Sequence, residues 1–217
     1  MTDLCRRVVL TGAGGRIGSA IMPLLPACWD VQRTDLEADQ GIGALDVTDR
    51  DACPAAFTGA DAVVHLAAVP DPAASWERLL PANVVGTTTS PGPQGTAVSA
   101  VWCWPVVCTP SLLDPITPRS GPVTRRAPAN LYGATKAWAE ALGWWVAATT
   151  STSVVALRIG YFAAQRPSAE TVPAREMSAW LSPRDAAELV RAAVVAEGLH
   201  FEVANGISAN RHRFADL

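Results

Sequence analysis

The stretch RRVVLTGAGGRIGSAI, residues 6–21, decides the fold of this 217-residue chain. A β-branched apolar run leads into a glycine-rich loop and then into the start of a helix, which predicts a strand, a turn and a helix in succession. Gly12, Gly15 and Gly18 carry no Cβ atoms, so a pyrophosphate can approach the backbone at the helix N-terminus. A plain tight turn is the alternative interpretation of the same glycines.

Buried strands and helices alternate along the rest of the chain. This alternation predicts an α/β fold of the Rossmann type, with a doubly wound parallel sheet, and the length predicts a single domain over 1–217. Ser182, Pro183 and Asp185 form an N-terminal capping signal, and Gly198 marks the expected end of that helix. The predicted strands are 31–36, 60–68, 153–160 and 200–206, and the predicted helices are 74–85, 130–150 and 182–198.

Composition excludes several classes of function. The net charge is −3 and the pI is about 5.6, so no basic surface indicates nucleic acid or a membrane. No apolar run reaches membrane-spanning length, and the N-terminus enters a strand at once, so we expect a cytoplasmic protein. Five cysteines without a CxxC pair predict reduced, mostly buried thiols and no metal site.

A carboxylate follows the second predicted strand. Asp35 lies 17 residues after Gly18, where it can accept hydrogen bonds from an adenosine ribose. An aspartate there repels a 2′-phosphate, which favours NAD over NADP, although nearby Arg33 weakens this preference. Asp46 and Val47, in LDVTD, either face the adenine or leave Asp46 to cap the next helix.

The segment YGATK places a tyrosine and a lysine on one helical face. Tyr132 and Lys136 are four residues apart, which is one turn of the predicted helix. A nearby cation stabilises phenolate, so Tyr132 can exchange a proton with a substrate hydroxyl while Lys136 reaches the nicotinamide ribose. The pair is the strongest catalytic signal in the chain.

With these motifs in order, the sequence resembles the extended short-chain dehydrogenase/reductase superfamily, in its NAD-dependent epimerase/dehydratase group. HLAA at 65–68, NVVGT at 83–87 and RIG at 158–160 also follow the order of that group. The segments REMSAWLSPRDAAELV from 175 and GISANRHRFADL from 206 are similar to uronate dehydrogenases, which oxidise C1 of a hexuronate to an aldarolactone.

The resemblance implies a role for each matched residue. Asn83, Tyr132 and Lys136 would be catalytic, while Ser75 and Arg175 would contact a sugar acid and its carboxylate. A solvated surface position is the alternative for Arg175. Cofactor binding would involve Gly12, Gly15, Arg16, Ile17, Gly18, Asp35, Asp46, Val47, Leu66, Ala67, Ala68, Tyr132 and Lys136.

Three functions stay open at this point. The first is an NAD-dependent oxidoreductase acting on a hexuronate; the second is a catalytically impaired NAD-binding protein; the third is a sugar epimerase or dehydratase. The superfamily resemblance also makes a homo-oligomer, formed through the Tyr132 helix, an alternative to a monomer. We interpret His65 as a core histidine and Trp138, Trp144 and Trp145 as helix packing.

The middle of the chain departs from the group. Eight prolines between 87 and 128 predict an irregular region over about 88–118, and SAVWCWPVVCTP at 99–110 lacks the expected serine pair. We therefore expect the central strand to be missing. The C-terminal substrate portion, about 161–217, is expected to be truncated relative to the group.

The codons offer an explanation for the departure. When the reading frame is displaced so that each codon takes the last base of one residue and the first two of the next, the stretch from Thr87 to Ser111 can read HHVARAAGDGGVRRVVLASSVHAV. That string contains a helix, a β-branched strand and a Ser-Ser-Val-His segment. A compensated frameshift and true divergence both remain open, and the coding DNA distinguishes them.

Overall fold

The computed structural model describes residues 5–89, 99–105, 128 and 130–210, with the backbone alone at 99–105 and at Arg175. Within these residues seven parallel strands form one sheet in the order β3-β2-β1-β4-β5-β6-β9, and β7 pairs with β8 in a small second sheet. The doubly wound α/β prediction is confirmed. The strands are β1 (Arg7–Thr11), β2 (Asp30–Asp35), β3 (Gly43–Ala44), β4 (Ala62–His65), β5 (Ser99–Pro105), β6 (Ser153–Ile159), β7 (Tyr161–Phe162), β8 (Trp180–Leu181) and β9 (Phe201–Gly206).

Helical segments connect the strands. A 3-10 turn at Met22–Leu24 extends the first helix, and a π-helical segment at Leu80–Val85 joins the third helix to the fourth. None of the helices within the described residues is both long and apolar enough to cross a membrane. The α-helices are α1 (Arg16–Ile21), α2 (Ala52–Phe57), α3 (Trp76–Leu79), α4 (Gly86–Thr89), α5 (Leu131–Thr149), α6 (Ala174–Ser178) and α7 (Pro183–Val195).

The strand order positions the site. The chain moves outward from β1 through β2 to β3 and then returns to add β4 on the other side of β1. In open parallel sheets this reversal leaves a crevice at the carboxyl ends of the strands, where ligands bind. Apolar side chains of β1, β4 and β6 pack against α1 and α7 in the main core and hold this edge of the sheet in place.

The expectation that the central strand is missing is wrong. β5 lies between β4 and β6, with Ser99 paired to Ala62 on one side and to Ser153 on the other. Pro105 is its last residue, so the proline ends the strand without preventing it. The rest of the region predicted to be irregular, 90–98 and 106–118, lies outside the described residues. The structure therefore does not test what replaces the expected serine pair.

Several element boundaries differ from prediction. The helix predicted at 74–85 begins at Trp76 and runs through the π segment to Thr89. Ser182 caps α7 as predicted, because its hydroxyl accepts from Asp185 N at 3.1 Å. That helix ends at Val195, before Gly198, which has a positive φ of 72° and lies in the following turn.

One burial expectation, for the five cysteines, falls only in part on described side chains, and another, for the tryptophans of α5, is wrong. Of the cysteines that the structure describes, Cys5 and Cys28 are exposed and Cys53 is buried. Trp138, Trp144 and Trp145 do not pack in the core; they are among the large exposed hydrophobic side chains.

Candidate active site

The glycine loop lies against the end of β4. Gly12 has a φ of 70°, and a Cβ atom there would lie 2.6 Å from Ala67 N. A Cβ atom at Gly18 would lie 2.5 Å from Gly12 O, because α1 starts directly on the turn. A side chain at Gly12 would push the loop away from Leu66 and Ala67, and one at Gly18 would push α1 away from the loop, so both glycines are required for these close approaches.

Asp35 lies beside the loop at the carboxyl end of β2. Its Oδ2 accepts from Gly14 N at 2.9 Å and its Oδ1 from Leu36 N at 2.7 Å. Each carboxylate oxygen keeps a further lone pair, so two more donors, such as ribose hydroxyls, can be bound. Arg33 lies over the backbone of Gly41, in the loop that follows β2.

Asp46 and Val47 are held by their own surroundings. Asp46 Oδ1 accepts from the backbone N and the hydroxyl of Thr48 at 2.8 and 2.7 Å, so it stabilises a turn. Asp49, three residues later, accepts from Ala52 N at 2.9 Å at the start of α2. Asp49, rather than Asp46, therefore caps α2. The buried Val47 packs against Gly86.

Tyr132 and Lys136 lie one turn apart on α5, as predicted. Asn130 caps this helix by accepting from Gly133 N at 2.8 Å, which fixes where its first turn begins. Lys136 Nζ lies 5.0 Å from the centroid of the Tyr132 ring. The two side chains are 2% and 4% exposed, so their charges act in a nearly dry environment.

Burial changes the acid-base properties of the pair. It raises the pKa of Tyr132, while the charge of Arg16, at the start of α1, opposes that rise. Burial also lowers the pKa of Lys136 to about 7. Lys136 is the single lysine of the sequence, and a cation there stabilises phenolate more strongly than it would in water.

Asn83 links two elements around the pair. Its Oδ1 accepts from Val69 N at 2.7 Å, and its Nδ2 donates to Val69 O at 3.2 Å and to Thr135 Oγ1 at 3.3 Å. The amide thus ties the loop after β4 to helix α5. In this arrangement Asn83 fixes the position of α5 relative to that loop.

The two residues assigned to substrate lie in segments that follow β4 and β7 along the chain. Ser75 is exposed and precedes α3, and Arg175 belongs to α6, after the β6 and β7 strands. Ala74 and Leu79, on either side of the start of α3, pack against Tyr132, so Ser75 is adjacent to the residues that enclose the phenol. The side chain of Arg175 is outside the described atoms.

Sequence reasoning missed two groups that support the pair. Thr11, at the end of β1, places its Oγ1 2.8 Å from His65 Nδ1, at the end of β4. Glu140, one turn beyond Lys136, accepts both Nε and Nη2 of Arg158 in β6 at 2.6 Å. The spacing of Tyr132, Lys136 and Glu140 along one helical face was the available signal for the second group.

The loop and Asp35 fit a dinucleotide. Two glycines bring the backbone close to β4, exposed Gly14 and Gly15 leave room beside the helix start, and a carboxylate follows the neighbouring strand. These are the features that bind a pyrophosphate and an adenosine ribose at a sheet reversal. The Tyr132–Lys136 pair and the loop are close enough for Arg16 to influence the phenol.

Comparisons with known proteins agree with this arrangement. The profile of the NAD dependent epimerase/dehydratase family matches residues 8–89. Two curated proteins of Haloferax volcanii, an NAD-dependent glucose-6-phosphate dehydrogenase and an L-arabinose 1-dehydrogenase (NAD(P)(+)), are 33% and 31% identical over 97% of this chain and 88% and 91% of their own lengths. The crystal structure of a glucuronic acid dehydrogenase from Chromohalobacter salexigens superposes with a TM-score of 0.79 at 27% identity, covering 98% of this chain and 80% of that one.

The alignments with the two curated relatives cover nearly the whole chain. With the doubly wound sheet and the dinucleotide-binding loop, this match places the chain in the NAD dependent epimerase/dehydratase family.

Proposed function

We propose that this protein is an NAD-dependent dehydrogenase that oxidises C1 of an aldose, with a hexuronate as substrate and an aldarolactone as product. The observation that carries the proposal is the buried Tyr132–Lys136 pair, with Nζ 5.0 Å from the ring centroid and with Arg16, at the start of α1, close enough to influence the phenol. Support for sugar oxidation comes from the two curated relatives, whose names describe dehydrogenases of aldoses. Support for a uronate comes from the glucuronic acid dehydrogenase structure.

The chain's own residues divide the chemistry between them. NAD, when bound, would supply the hydride acceptor for C1. Tyr132, as phenolate, takes the proton of the C1 hydroxyl. The charge of Arg16 opposes the rise of the Tyr132 pKa that burial causes, and the Lys136 cation, with Nζ 5.0 Å from the ring centroid, would further stabilise the phenolate. Gly12, Gly18 and Asp35 hold the dinucleotide.

The substrate roles assigned to Ser75 and Arg175 complete the proposal. A guanidinium binds a carboxylate through two parallel hydrogen bonds, so Arg175 would select an acidic sugar. Ser75, at the start of α3 and next to the residues that enclose Tyr132, would donate to a sugar hydroxyl.

The test of the reaction uses D-glucuronate, D-galacturonate, glucose 6-phosphate and L-arabinose, with NADH formation as the readout. Tyr132→Phe is expected to lower kcat with a uronate by at least about a hundredfold, because the proton acceptor is lost. NAD affinity, measured by calorimetry, should change little. NAD binding without NADH formation from any of the four sugars would favour the catalytically impaired alternative instead.

The test of Arg175 separates recognition of the carboxylate from catalysis. Arg175→Ala should raise KM for a uronate by about ten- to a hundredfold and leave KM for uncharged L-arabinose unchanged. Arg184→Ala, which removes an exposed cation from the start of α7, is the matched control and should alter neither. An equal loss with both sugars would contradict the role of Arg175.

The proposal includes a homodimer formed through α5. Leu131, Trp138 and Trp145 recur at seven-residue intervals on this helix and are all exposed. The exposed residues of α5 are all uncharged, and apolar surfaces of this kind mark protein interfaces. Light scattering should give a dimer mass that Trp138→Glu reduces to a monomer, whereas Trp76→Glu, in exposed α3, should leave the mass unchanged.

A further inference from the structure

The segment that follows β9, residues 207–210, lies against α6 and β8. Asn210 Nδ2 donates to Ser178 O at 3.0 Å and to Trp180 O at 2.8 Å. Ser178 is the last residue of α6, and Trp180 is the first residue of β8. Asn210 is 6% exposed, and its amide bridges the point where the helix that contains Arg175 passes into the strand.

Helix α6 is too short to hold its own position. It has five residues, and the carbonyl groups in the last turn of a helix have no partner within it. Helices of fewer than about 12 residues are not stable without tertiary contacts. Ser178 O is one of these terminal carbonyls, and Asn210 supplies its donor. The placement of α6 therefore depends on what binds its carboxyl end.

The end of β6 makes the second contact with the connection between α6 and β8. A Cβ atom at Gly160 would clash with Ala179 O, so only glycine allows this close approach. Tyr161 N donates to Ala179 O at 2.9 Å, and Gly160 N donates to Gly206 O at 2.9 Å. The end of the sheet therefore fixes Ala179, while Asn210 binds the carbonyl groups of the residues on either side of it.

We propose that Asn210 is a positioning residue for Arg175, because it holds the carboxyl end of the helix to which Arg175 belongs. Both partners of Asn210 are carbonyl oxygens, so the atom that meets them is the amide nitrogen, which carries two hydrogens. A guanidinium forms two parallel hydrogen bonds with a carboxylate only in a defined geometry. A displacement of α6 therefore weakens the binding of an acidic sugar. The role of Arg175 rests on the proposed function, whereas the attachment of α6 does not.

Ser208 attaches the same segment to a different helix. Its Oγ accepts from Ser182 N at 2.9 Å and donates to the Asp185 carboxylate, both at the start of α7. Ser208 is as buried as Asn210, at 6% exposed. Loss of the Ser208 hydroxyl removes these contacts with α7 and leaves both Asn210 hydrogen bonds in place. Ser208→Ala is therefore the matched control for a change at Asn210.

The first experiment measures hydrogen–deuterium exchange and needs no substrate. Asn210→Leu keeps the approximate volume of the side chain and removes the donor. Asn210→Ser, whose hydroxyl cannot donate to both carbonyls, is used should the first variant not fold. Amide exchange over 174–181 is expected to be about tenfold faster, because two hydrogen bonds are lost, whereas Ser208→Ala should accelerate exchange at the start of α7 instead. Unchanged exchange over 174–181 in a folded Asn210 variant would overturn the proposal.

The second experiment separates the positioning of Arg175 from a general effect on the fold. Asn210→Leu should raise KM for D-glucuronate by about tenfold, while kcat for this sugar and KM for L-arabinose stay unchanged; Ser208→Ala should change none of these. In the Arg175→Ala background, Asn210→Leu should have no further effect on KM for the uronate, because Asn210 acts through Arg175.

Two outcomes of the kinetic experiment have different meanings. A further increase of KM in the Arg175→Ala background, or an equal increase for both sugars in Asn210→Leu alone, would overturn the proposal. An Arg175→Ala variant that keeps its KM for the uronate would instead reject the proposed function, with faster exchange over 174–181 still supporting the attachment of α6 by Asn210.

Discussion

Thr11 shows how one hydroxyl can organise the cofactor side of the site. It is the last residue of β1, directly before Gly12, and it is 1% exposed. Its Oγ1 contacts His65 Nδ1 at 2.8 Å and Ala67 N at 3.5 Å, so it joins the end of β1 to the end of β4. The glycine loop and residues 66–68 are thereby held at a fixed separation where the dinucleotide is to bind.

Thr11→Val should weaken NAD binding by about tenfold, because it keeps the shape of the side chain and removes both contacts. Thr11→Ser should retain the affinity. Thr34→Val is the matched control: Thr34 is also buried, pairs with Thr11 in register, and donates to Leu10 O at 3.4 Å, away from the loop. Calorimetric titration with NAD measures all three variants, and equal losses in Thr11→Val and Thr34→Val would contradict the role of Thr11.

Asp35 is expected to determine the choice between NAD and NADP. Its carboxylate already accepts from Gly14 N and Leu36 N, so its charge is fixed where an adenosine ribose would lie. Asp35→Asn keeps the shape of the side chain and removes its charge. It should lower the ratio of kcat/KM for NAD to kcat/KM for NADP by at least about tenfold, because the repulsion of the 2′-phosphate disappears. Asp39→Asn, in the loop that follows β2, should leave the ratio unchanged.

Among the elements, α5 is the one whose placement determines the geometry of the site. It carries Tyr132 and Lys136, and the fork between Glu140 and Arg158 attaches it to β6. The two side chains are 20% and 14% exposed, so the ion pair is mostly desolvated. Asn83 attaches the same helix to the loop after β4 through Thr135.

Glu140→Gln should lower the free energy of unfolding by about 2–4 kcal/mol, since it leaves the Arg158 guanidinium mostly buried without its anion. The paired change Glu140→Leu with Arg158→Leu should cost less than the sum of the two single changes. Glu188→Gln is the control: this residue contacts Arg191 on α7, its side chain is 62% exposed, and an exposed pair contributes less than about 1 kcal/mol. Urea unfolding measures each variant, and a cost for Glu140→Gln no larger than that control would contradict the attachment.

The elements also show which features the sequence can predict. The apolar runs that became β1, β4 and β6 were predictable because burial on both faces of a parallel sheet requires continuous apolar segments. β5 was not predicted, because a strand of Trp, Cys and a terminal Pro105 has an unusual composition. What stabilises β5 is its backbone hydrogen bonding to β4 on one side and β6 on the other, and composition alone does not reveal that pairing.

For the whole molecule, the parallel sheet gathers side chains that are far apart in sequence. Thr11, His65 and Asp35 stand at the carboxyl ends of three strands, and Tyr132 and Lys136 reach the same edge from α5. The motifs predicted which residues belong to the site. The Thr11–His65 contact and the Glu140–Arg158 fork depend on strand order and helix rotation, which periodicity does not determine.

The buried cation Lys136 at this edge of the sheet should lower the free energy of unfolding by an amount that depends on pH. The pKa of Lys136 is about 7 in the fold against 10.5 for an ordinary lysine, so between these values the unfolded chain binds a proton that the folded chain does not. Stability should therefore rise with pH across that window, by at most about 1.4 kcal/mol per unit. Lys136→Met should be more stable than the unmodified protein at about pH 7, with the difference shrinking towards about pH 10. Urea unfolding between about pH 7 and pH 10 measures the free energy of unfolding of both proteins. Arg184→Met, at an exposed cation, is the control, and its difference from the unmodified protein should not change with pH. A gain for Lys136→Met that does not change with pH would show that burial of the charge is not its cause.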